Sequence, residues 1–482
     1  MSTNNLVQKI WSFCDTLRDD GLGYNDYLEQ LTYLLFLKMA DENQSKYNLP
    51  DICQWKGLKS ASGGELQDKY ERVLKTLADS GGMLEKIFSG AQNKIHDSVK
   101  LKRLINLIDD EDWTSTEADI KGEIYESLLQ KNAENSGAGQ YFTPRPVIRA
   151  MVECIQPKTD ETIADPSCGT GGFFLGALEY LEKLPKLSEK QRNHIKFKMF
   201  HGWEIEKATA RLCLMNLYLH GIGDLEETPD IHITDSLKTK PNQVDIVLAN
   251  PPFGKSSSDI PTTDEEQAKK ERYFLRNDFW VTTSNKQLSF LQHIVAMLNE
   301  KGRAAIVLPD NVLFEGGAGE VIRKELLKAT NAHTILRLPT GIFYAQGVKS
   351  NVLFFEKNNG PEKIGTKEVW FYDYRTNVHH TPKKNPLTFE HLGDFIDCYK
   401  IGNLNKRKET WSESNPEGRW RKYTYNDILT RDKTNMDIFW LRDSSLIDLD
   451  NLPDPDIIAN DIIENLRAGL ESFENAVNML KD

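Results

Sequence analysis

An α/β fold with a mostly parallel sheet, set between a helical N-terminal domain and a helical C-terminal tail, is what this chain predicts. Three observations carry that reading. Short apolar runs that read as buried strands alternate with amphipathic helical stretches through the middle of the chain. A glycine-rich turn, Pro166-Ser167-Cys168-Gly169-Thr170-Gly171-Gly172, stands between one such run and a helix. A rigid turn, Asn250-Pro251-Pro252-Phe253, closes another.

Taken in order, residues 1–130 are helical in pattern and form the first domain. From Tyr27 to Met39 apolar side chains cover nearly every side, so this helix is expected at the buried centre of a bundle. Gly63-Gly64 and Gly81-Gly82 read as loops. The second domain, 131–385, begins with a flexible lead, Ser136 to Gln140; Thr143 is then placed to cap a helix whose first position is Pro144. Strands are expected at 161–165, 199–204, 230–235, 244–249, 303–308, 333–338 and 350–356. Helices at 173–184, 207–219 and 287–298 alternate with them. The polar, charged stretch from Lys255 to Arg276 reads as a loop that orders over substrate, with a solvated insertion as the alternative. The third part, 386–482, carries the cluster Trp420-Arg421-Lys422-Tyr423, which reads as a solvated strand edge, with nucleic-acid contact as the alternative. Near the end, Ile463, Leu466, Leu470, Phe473, Val477 and Leu480 fall at alternating steps of three and four. That is a heptad seam, so 457–482 is expected to be a helix that docks on a partner helix, with docking on its own domain as the alternative.

The two turns carry the chemistry. Asn250 follows the apolar run Val244–Ala249, at the carboxyl end of a strand, where open α/β sheets place their ligand crevice. The prolines end the strand and fix the backbone. Such a turn suits a planar group bearing an amine. The Asn250 side-chain oxygen and the Pro251 carbonyl can each accept one N–H, and Phe253 can stack on the ring. With both hydrogens held, the nitrogen lone pair is freed for attack on an electrophile. The glycine turn follows Asp165 and precedes a helix, the layout of a nucleotide-type cofactor site. Its Gly-x-Gly-Gly spacing is not that of dinucleotide folds. The next strand-ending acid, Glu204, lies 39 residues after Asp165, against roughly 20 in those folds. An acid before the glycines suits a cofactor with an amino group, and Glu204 suits a ribose; S-adenosylmethionine has both. Gly254-Lys255-Ser256 imitates the end of a phosphate loop, but position 249 is Ala where that loop needs Gly.

Bulk properties narrow the class. With 482 residues and 39% hydrophobics the chain has room for two or three globular domains. The run Leu34–Leu37 is far too short to span a bilayer, no secretory signal is visible at the N-terminus, and no membrane association is expected. Six cysteines without a Cys-x-x-Cys pair argue against a zinc ribbon or a disulfide framework and suit the cytoplasm. The net charge of −12 weakens the case for gripping DNA unaided. It is a physical reason to expect a partner that carries the reading surface.

Taken together, the motifs resemble those of the amino-methyltransferases that modify adenine N6 in DNA, and the order Gly139-Gln140-Tyr141-Phe142-Thr143-Pro144, then Asp165 to Gly171, then Asn250 to Phe253, is similar to their gamma group. Lys121 to Glu126 upstream and Leu338 to Tyr344 downstream bring the resemblance closest to the modification (M) subunit of type I restriction-modification systems, over roughly residues 5–360. The resemblance implies a Rossmann-like class I methyltransferase sheet using S-adenosyl-L-methionine. It implies catalytic roles for Asn250, Pro251, Pro252 and Phe253. For the cofactor it implies Gln140, Tyr141, Phe142 and Thr143 at the methionine end, with Asp165, Pro166, Ser167, Gly169, Thr170, Gly171, Gly172 and Glu204. Asp235 would then receive the cofactor's adenine amine. Phe343 or Tyr344 would cover the second face of the target base. No metal is needed for the reaction. The implied partners are DNA, a specificity (S) subunit and a second copy of the M subunit, with a restriction (R) subunit as a further candidate. Two rival readings stay open at this point: a stand-alone methyltransferase acting on DNA, RNA or a protein glutamine, and a non-catalytic assembly scaffold.

Overall fold

The computed structural model describes residues 11–443 apart from 14–16, 18–20, 43–48, 111–126, 130–141, 225, 239, 254–275, 344–348, 359–363 and 382–384. Gln140, Tyr141, Tyr344, the 255–275 stretch and the 457–482 seam therefore lie outside the described residues.

The first part is helical. Helix α1 (Tyr24–Glu42) is buried on nearly every side, from Tyr27 through Leu34 and Leu37 to Ala40, as its unbroken apolar composition demands. Helices α2 (Trp55–Ser60) and α5 (Ser98–Asp109) pack against it, and α3 (Gly63–Ala78) packs on α4 (Gly82–Phe88) and α5. Gly63-Gly64 opens α3 instead of forming a loop, and Gly81, at φ 75°, leads into α4.

After α6 (Arg145–Ile155) the chain alternates as the sequence predicts. The order is β1 (Ile163–Asp165), α7 (Gly172–Glu182), α8 (Glu189–Phe197), β2 (Phe200–Glu204), α9 (Lys207–Leu219), β3 (Asp230–Ile233) and β4 (Val244–Ala249), then α10 (Lys286–Met297), β5 (Leu298–Pro309), α11 (Asn311–Phe314), α12 (Ala318–Ala329), β6 (Thr330–Leu338) and β7 (Ser350–Lys357). Beyond these come β8 (Glu368–Asp373), α13 (Gly393–Tyr399), β9 (Trp420–Thr424) and α14 (Tyr425–Leu429). The strands form one nine-stranded sheet in the order β3-β2-β1-β4-β5-β7-β6-β8-β9. From β3 to β5 every pairing is parallel. β7 runs antiparallel between β5 and β6. Its direction follows from its connection: residues 339–349 are too few to carry a crossover helix back along the sheet.

The sheet runs on past residue 385. β9 pairs antiparallel with β8, and Trp420 is fully buried and stacked on Trp370 with ring centroids 5.2 Å apart. The Trp420–Tyr423 cluster is thus an edge strand whose first ring belongs to the core. The backbone that follows is strapped to the catalytic layers by two buried arginines. Arg323 donates to the carbonyls of Lys433 and Thr434, at 2.6 and 3.1 Å. Arg337 pairs with Asp437 at 2.5 Å and donates to the Ile438 carbonyl.

The helical part is locked to the sheet through α9. Arg211 pairs with Glu29 of α1 and donates to the Tyr33 hydroxyl (2.9 Å) and the Ser89 carbonyl (2.6 Å). Phe36 meets Tyr218 at 5.8 Å between ring centroids. Replacing Arg211 by Met keeps the stem but takes one cation from the Glu29 carboxylate, leaving it Lys94 at 3.1 Å and the Tyr33 hydroxyl at 2.9 Å, and leaves the Ser89 carbonyl without this donor. Loss of about 1–3 kcal/mol of stability is expected, the cost of removing a charged donor that joins Glu29, Tyr33 and Ser89, read by denaturant titration. An unchanged midpoint would show that this clasp does not hold the two parts together.

Candidate active site

β1 has β2 and β3 on one side and β4 and β5 on the other, so the chain leaves it in opposite directions. At such a switch point a crevice opens over the carboxyl ends of the two central strands, here β1 and β4. Asp165 is the last residue of β1 and Asn250 follows the last residue of β4. The two turns singled out in the sequence are therefore neighbours in space, and they touch: the Ser167 hydroxyl donates to the Asn250 backbone carbonyl at 3.4 Å.

The glycine turn is shaped by backbone that only glycine accepts at no cost. Gly169 and Gly171 sit at φ 55° and 84°. A Cβ on Gly169 would meet nothing within 4 Å, so open space lies in front of it, whereas one on Gly171 would press on Cys213 Sγ at 3.1 Å. Asn216, almost fully buried on α9, donates to the Thr170 carbonyl at 2.9 Å and holds the turn from beneath. Cys168 is buried with its sulfur 4.0 Å from Cys213, and serves here as a packed core residue.

Two carboxylates give the crevice its electrostatics. Asp165 is 2% exposed. Burial pushes its carboxyl up to about 8; the Ser167 N–H, donating to Oδ1 at 2.9 Å, opposes that rise and the Glu204 charge adds to it. Glu204, ending β2, is also raised, first by burial, while the N–H groups of Gly169 (3.1 Å) and Glu206 (2.9 Å) hold it down. Among the described residues neither acid takes part in an ion pair. A pair of desolvated acids facing an open turn is a ready acceptor for a cationic, hydroxyl-bearing ligand.

The Phe142-Thr143 segment arrives at the same place from 107 residues upstream of Asn250, and here the expectation from sequence needs correction. Pro144 occupies the capping position of α6, with no side-chain cap, and the helix starts at Arg145. The Thr143 hydroxyl does not cap it: it accepts the Asn250 Nδ2 hydrogen at 2.9 Å. A neighbouring hydrogen-bond donor of the active-site turn has outcompeted the helix N-terminus. Helix packing sets the approach. α6 lies so close on α7 that a Cβ on Gly176 would come within 2.5 Å of Ile148 Cγ2.

Thr143 and Asn250 are both 7% exposed. Pro251 is buried, and Pro252 and Phe253 are partly so. Phe343 is 2% exposed and meets Phe253 edge-on, with ring centroids 6.4 Å apart and planes at 73°. Its face is covered in this structure; it buttresses Phe253. Gly341 in the turn before it passes so close to the His380 carbonyl that a Cβ would fall 2.0 Å from the oxygen. Asp235 stands beyond the end of β3, which stops at Ile233, and accepts the Leu237 N–H at 3.0 Å.

Sequence reasoning missed three contributors. Asn216 carries no local signal, since its role is to meet a carbonyl 46 residues away. Ile205 and Ile233 are 63% and 39% exposed, and the β2–β3 register sets Ile233 opposite Glu204. An isoleucine directly after a strand-ending acid was the available clue to an apolar ledge beside the carboxylate.

Comparison with known proteins gives the chain's relatives. Residues 116–433 match the N-6 DNA Methylase family and residues 6–109 the HsdM N-terminal domain. The chain is 40% identical to the Type I restriction enzyme StySPI methylase subunit of Salmonella potsdam, over 98% of this chain and 95% of that one. It superposes on the crystal structure of the Type I restriction enzyme EcoKI M protein with a TM-score of 0.56 and 34% identity, covering 99% of this chain and 96% of the other. A chain solved in a study of assembly and conformational transition of the type I R-M system matches with a TM-score of 0.71 and 25% identity, covering 100% and 99%.

Proposed function

The chain belongs to the N-6 DNA Methylase family, as a methylase subunit of type I restriction enzymes, and from that premise we propose how its residues divide the labour of methylating adenine. It is an adenine-specific DNA methyltransferase subunit, and the rival readings of a stand-alone enzyme of another substrate and of an inert scaffold are not favoured. The observation that carries the division of labour is the meeting of three separate segments, Thr143, Ser167 and Asn250, over the carboxyl ends of β1 and β4.

S-adenosyl-L-methionine would supply an electrophilic methyl group. Its fit rests on the two desolvated acids and the open space before Gly169. Asp165 would take its ammonium group and Glu204 its ribose hydroxyls. The backbone from Pro166 to Gly172 would line it, Ile205 and Ile233 would flank its base, and Asp235 would take the base's amine. Gln140, Tyr141 and Phe142 would close the methionine end.

On the substrate side, the target adenine must leave the duplex, because its N6 is paired and stacked there. Extrusion costs a few kcal/mol, partly offset by stacking on Phe253, which Phe343 holds upright. The Asn250 side-chain oxygen and the Pro251 carbonyl would each accept one N6 hydrogen. So held, the amine would present its N6 lone pair toward the methyl group that the bound cofactor would supply, and the proton left on N6 after transfer would pass to solvent.

DNA is the substrate, and a specificity subunit, a second copy of this chain and a restriction subunit are the proposed partners, with the cytoplasm as the place of action. No helix among the described residues is long and apolar enough to cross a membrane. The net charge of −12 supports reliance on a partner for the reading of sequence. Isolated chain is expected to bind DNA weakly and without sequence preference, and deletion of 457–482 to leave cofactor binding intact while abolishing assembly. Gel-shift and labelled-methyl assays, with and without the specificity subunit, check both; tight site-specific methylation by the isolated chain would overturn the arrangement. Label appearing on RNA or on protein glutamine instead of DNA adenine would overturn the substrate assignment.

A further inference from the structure

We propose that Thr143 is the positioning residue of the methyl-transfer step, acting through Asn250. This deepens the role given to Asn250 above and rests on that reading.

The sequence placed Thr143 first as a helix cap and then, by resemblance, against the cofactor. The structure gives its hydroxyl another partner. Thr143 Oγ1 accepts the Asn250 Nδ2 hydrogen at 2.9 Å, and both side chains are almost fully buried. A carboxamide is planar, so fixing its nitrogen fixes its oxygen on the opposite side. The oxygen is the atom that must meet the target amine, since an N–H cannot accept a hydrogen. An unanchored amide can rotate about its last bond, a broad and soft torsion. In the wrong setting it would present N–H groups to an amine that needs acceptors. The hydroxyl also acts on strength: an amide whose N–H is engaged is polarised toward a better acceptor oxygen.

Thr143 and Asn250 are each held in place from their own side. Thr143 leads into α6, whose seat on α7 is fixed by the close contact of Gly176 with Ile148. The residue it meets is fixed by the prolines that follow and by the Ser167 hydroxyl on its backbone carbonyl. Two segments far apart in sequence thus converge on one amide, and neither touches it by accident of a flexible side chain.

The test uses the full-length chain assembled with its specificity subunit. Thr143→Val removes the hydroxyl at nearly constant shape, Thr143→Ala removes it in a smaller side chain, and Thr143→Ser restores it. The two variants without a hydroxyl should slow single-turnover methyl transfer by on the order of 10- to 100-fold, the cost of a misaimed reacting group. Equilibrium titration with S-adenosylmethionine should give the wild-type affinity, and the thermal midpoint should stay near wild type. Thr143→Ser should recover most of the rate. In the Asn250→Ala background, Thr143→Val should add nothing, because the two residues act as one unit. Four outcomes overturn the proposal: a wild-type rate in the Val variant, a parallel loss of cofactor affinity, a Ser variant as slow as Val, or fully additive effects with Asn250→Ala. If the wild-type complex itself puts no methyl group on DNA adenine, the assignment of Asn250 falls, and this proposal with it; that result is separable because it appears before any variant is made.

Discussion

Asn250→Ala should bind S-adenosylmethionine as the wild type does and transfer methyl groups about 10² to 10³ times more slowly, the usual cost of removing one positioned polar group from a reacting centre. The separation of the two effects follows from the geometry. The Asn250 side chain reaches Thr143 across the crevice, while the acids fitted to the cofactor sit on β1 and β2. Deleting the amide takes nothing from Asp165 or Glu204. It takes an acceptor from the target amine, whose lone pair then stays delocalised in the ring. Single-turnover rates and cofactor titration on the same preparation separate the two. Near-normal transfer would mean that another group holds N6, and weakened cofactor binding would mean that Asn250 belongs to the other half of the site.

Much of this site was legible in the sequence because its two turns are local. Asp165 to Gly172 and Asn250 to Phe253 each declare their conformation through glycine or proline, and each follows an apolar run of strand length. Period and turn chemistry are enough to place both at carboxyl ends of strands, and the strand at Val244–Ala249 was located residue for residue. What was not legible depends on pairing between distant segments. No local pattern says that Thr143 spends its hydroxyl on Asn250, or that Asn216 holds the Thr170 carbonyl. Direction was equally hidden. A buried strand such as β7 reads the same in either sense, and only the shortness of the 339–349 connection makes it antiparallel. β8, and the burial of Trp420 in a β9 read as a solvated strand edge, escaped for a different reason. Trp370, Phe371 and Trp420 are core residues of the sheet, yet they lie in polar surroundings that resemble a surface segment when read as composition.

Cofactor affinity should climb as pH rises from 6 to about 8, and Asp165→Asn should abolish that climb. In the cofactor-free protein, burial pushes the Asp165 carboxyl up from 3.8 to about 8. Between those values the folded chain holds a proton that the unfolded chain has released. A folded value above the unfolded one stabilises the fold below pH 4, and the contribution is lost as pH rises through about 8. The free protein should therefore be less stable at pH 8 than at pH 5, and Asp165→Asn should flatten this dependence. Binding reverses the preference. An ammonium group beside Asp165 favours the carboxylate, so the proton must leave on binding. Below about pH 8 the affinity should gain up to roughly tenfold per pH unit, with roughly one proton released. The Asn variant should lose about 1–3 kcal/mol of binding at pH 8, where it forgoes the charged acceptor, and show no pH slope. Calorimetric titration at pH 6, 7 and 8, in two buffers of different ionisation enthalpy, measures affinity and proton release together. Glu204 is the internal control: it too is raised by burial, but it is held by two backbone N–H groups and is assigned to hydroxyls, which carry no charge to expel its proton. Glu204→Gln should then weaken binding while keeping the pH slope. A flat wild-type profile, or a slope that survives in Asp165→Asn, would remove the ammonium from Asp165 and require another seat for the cofactor's charged end.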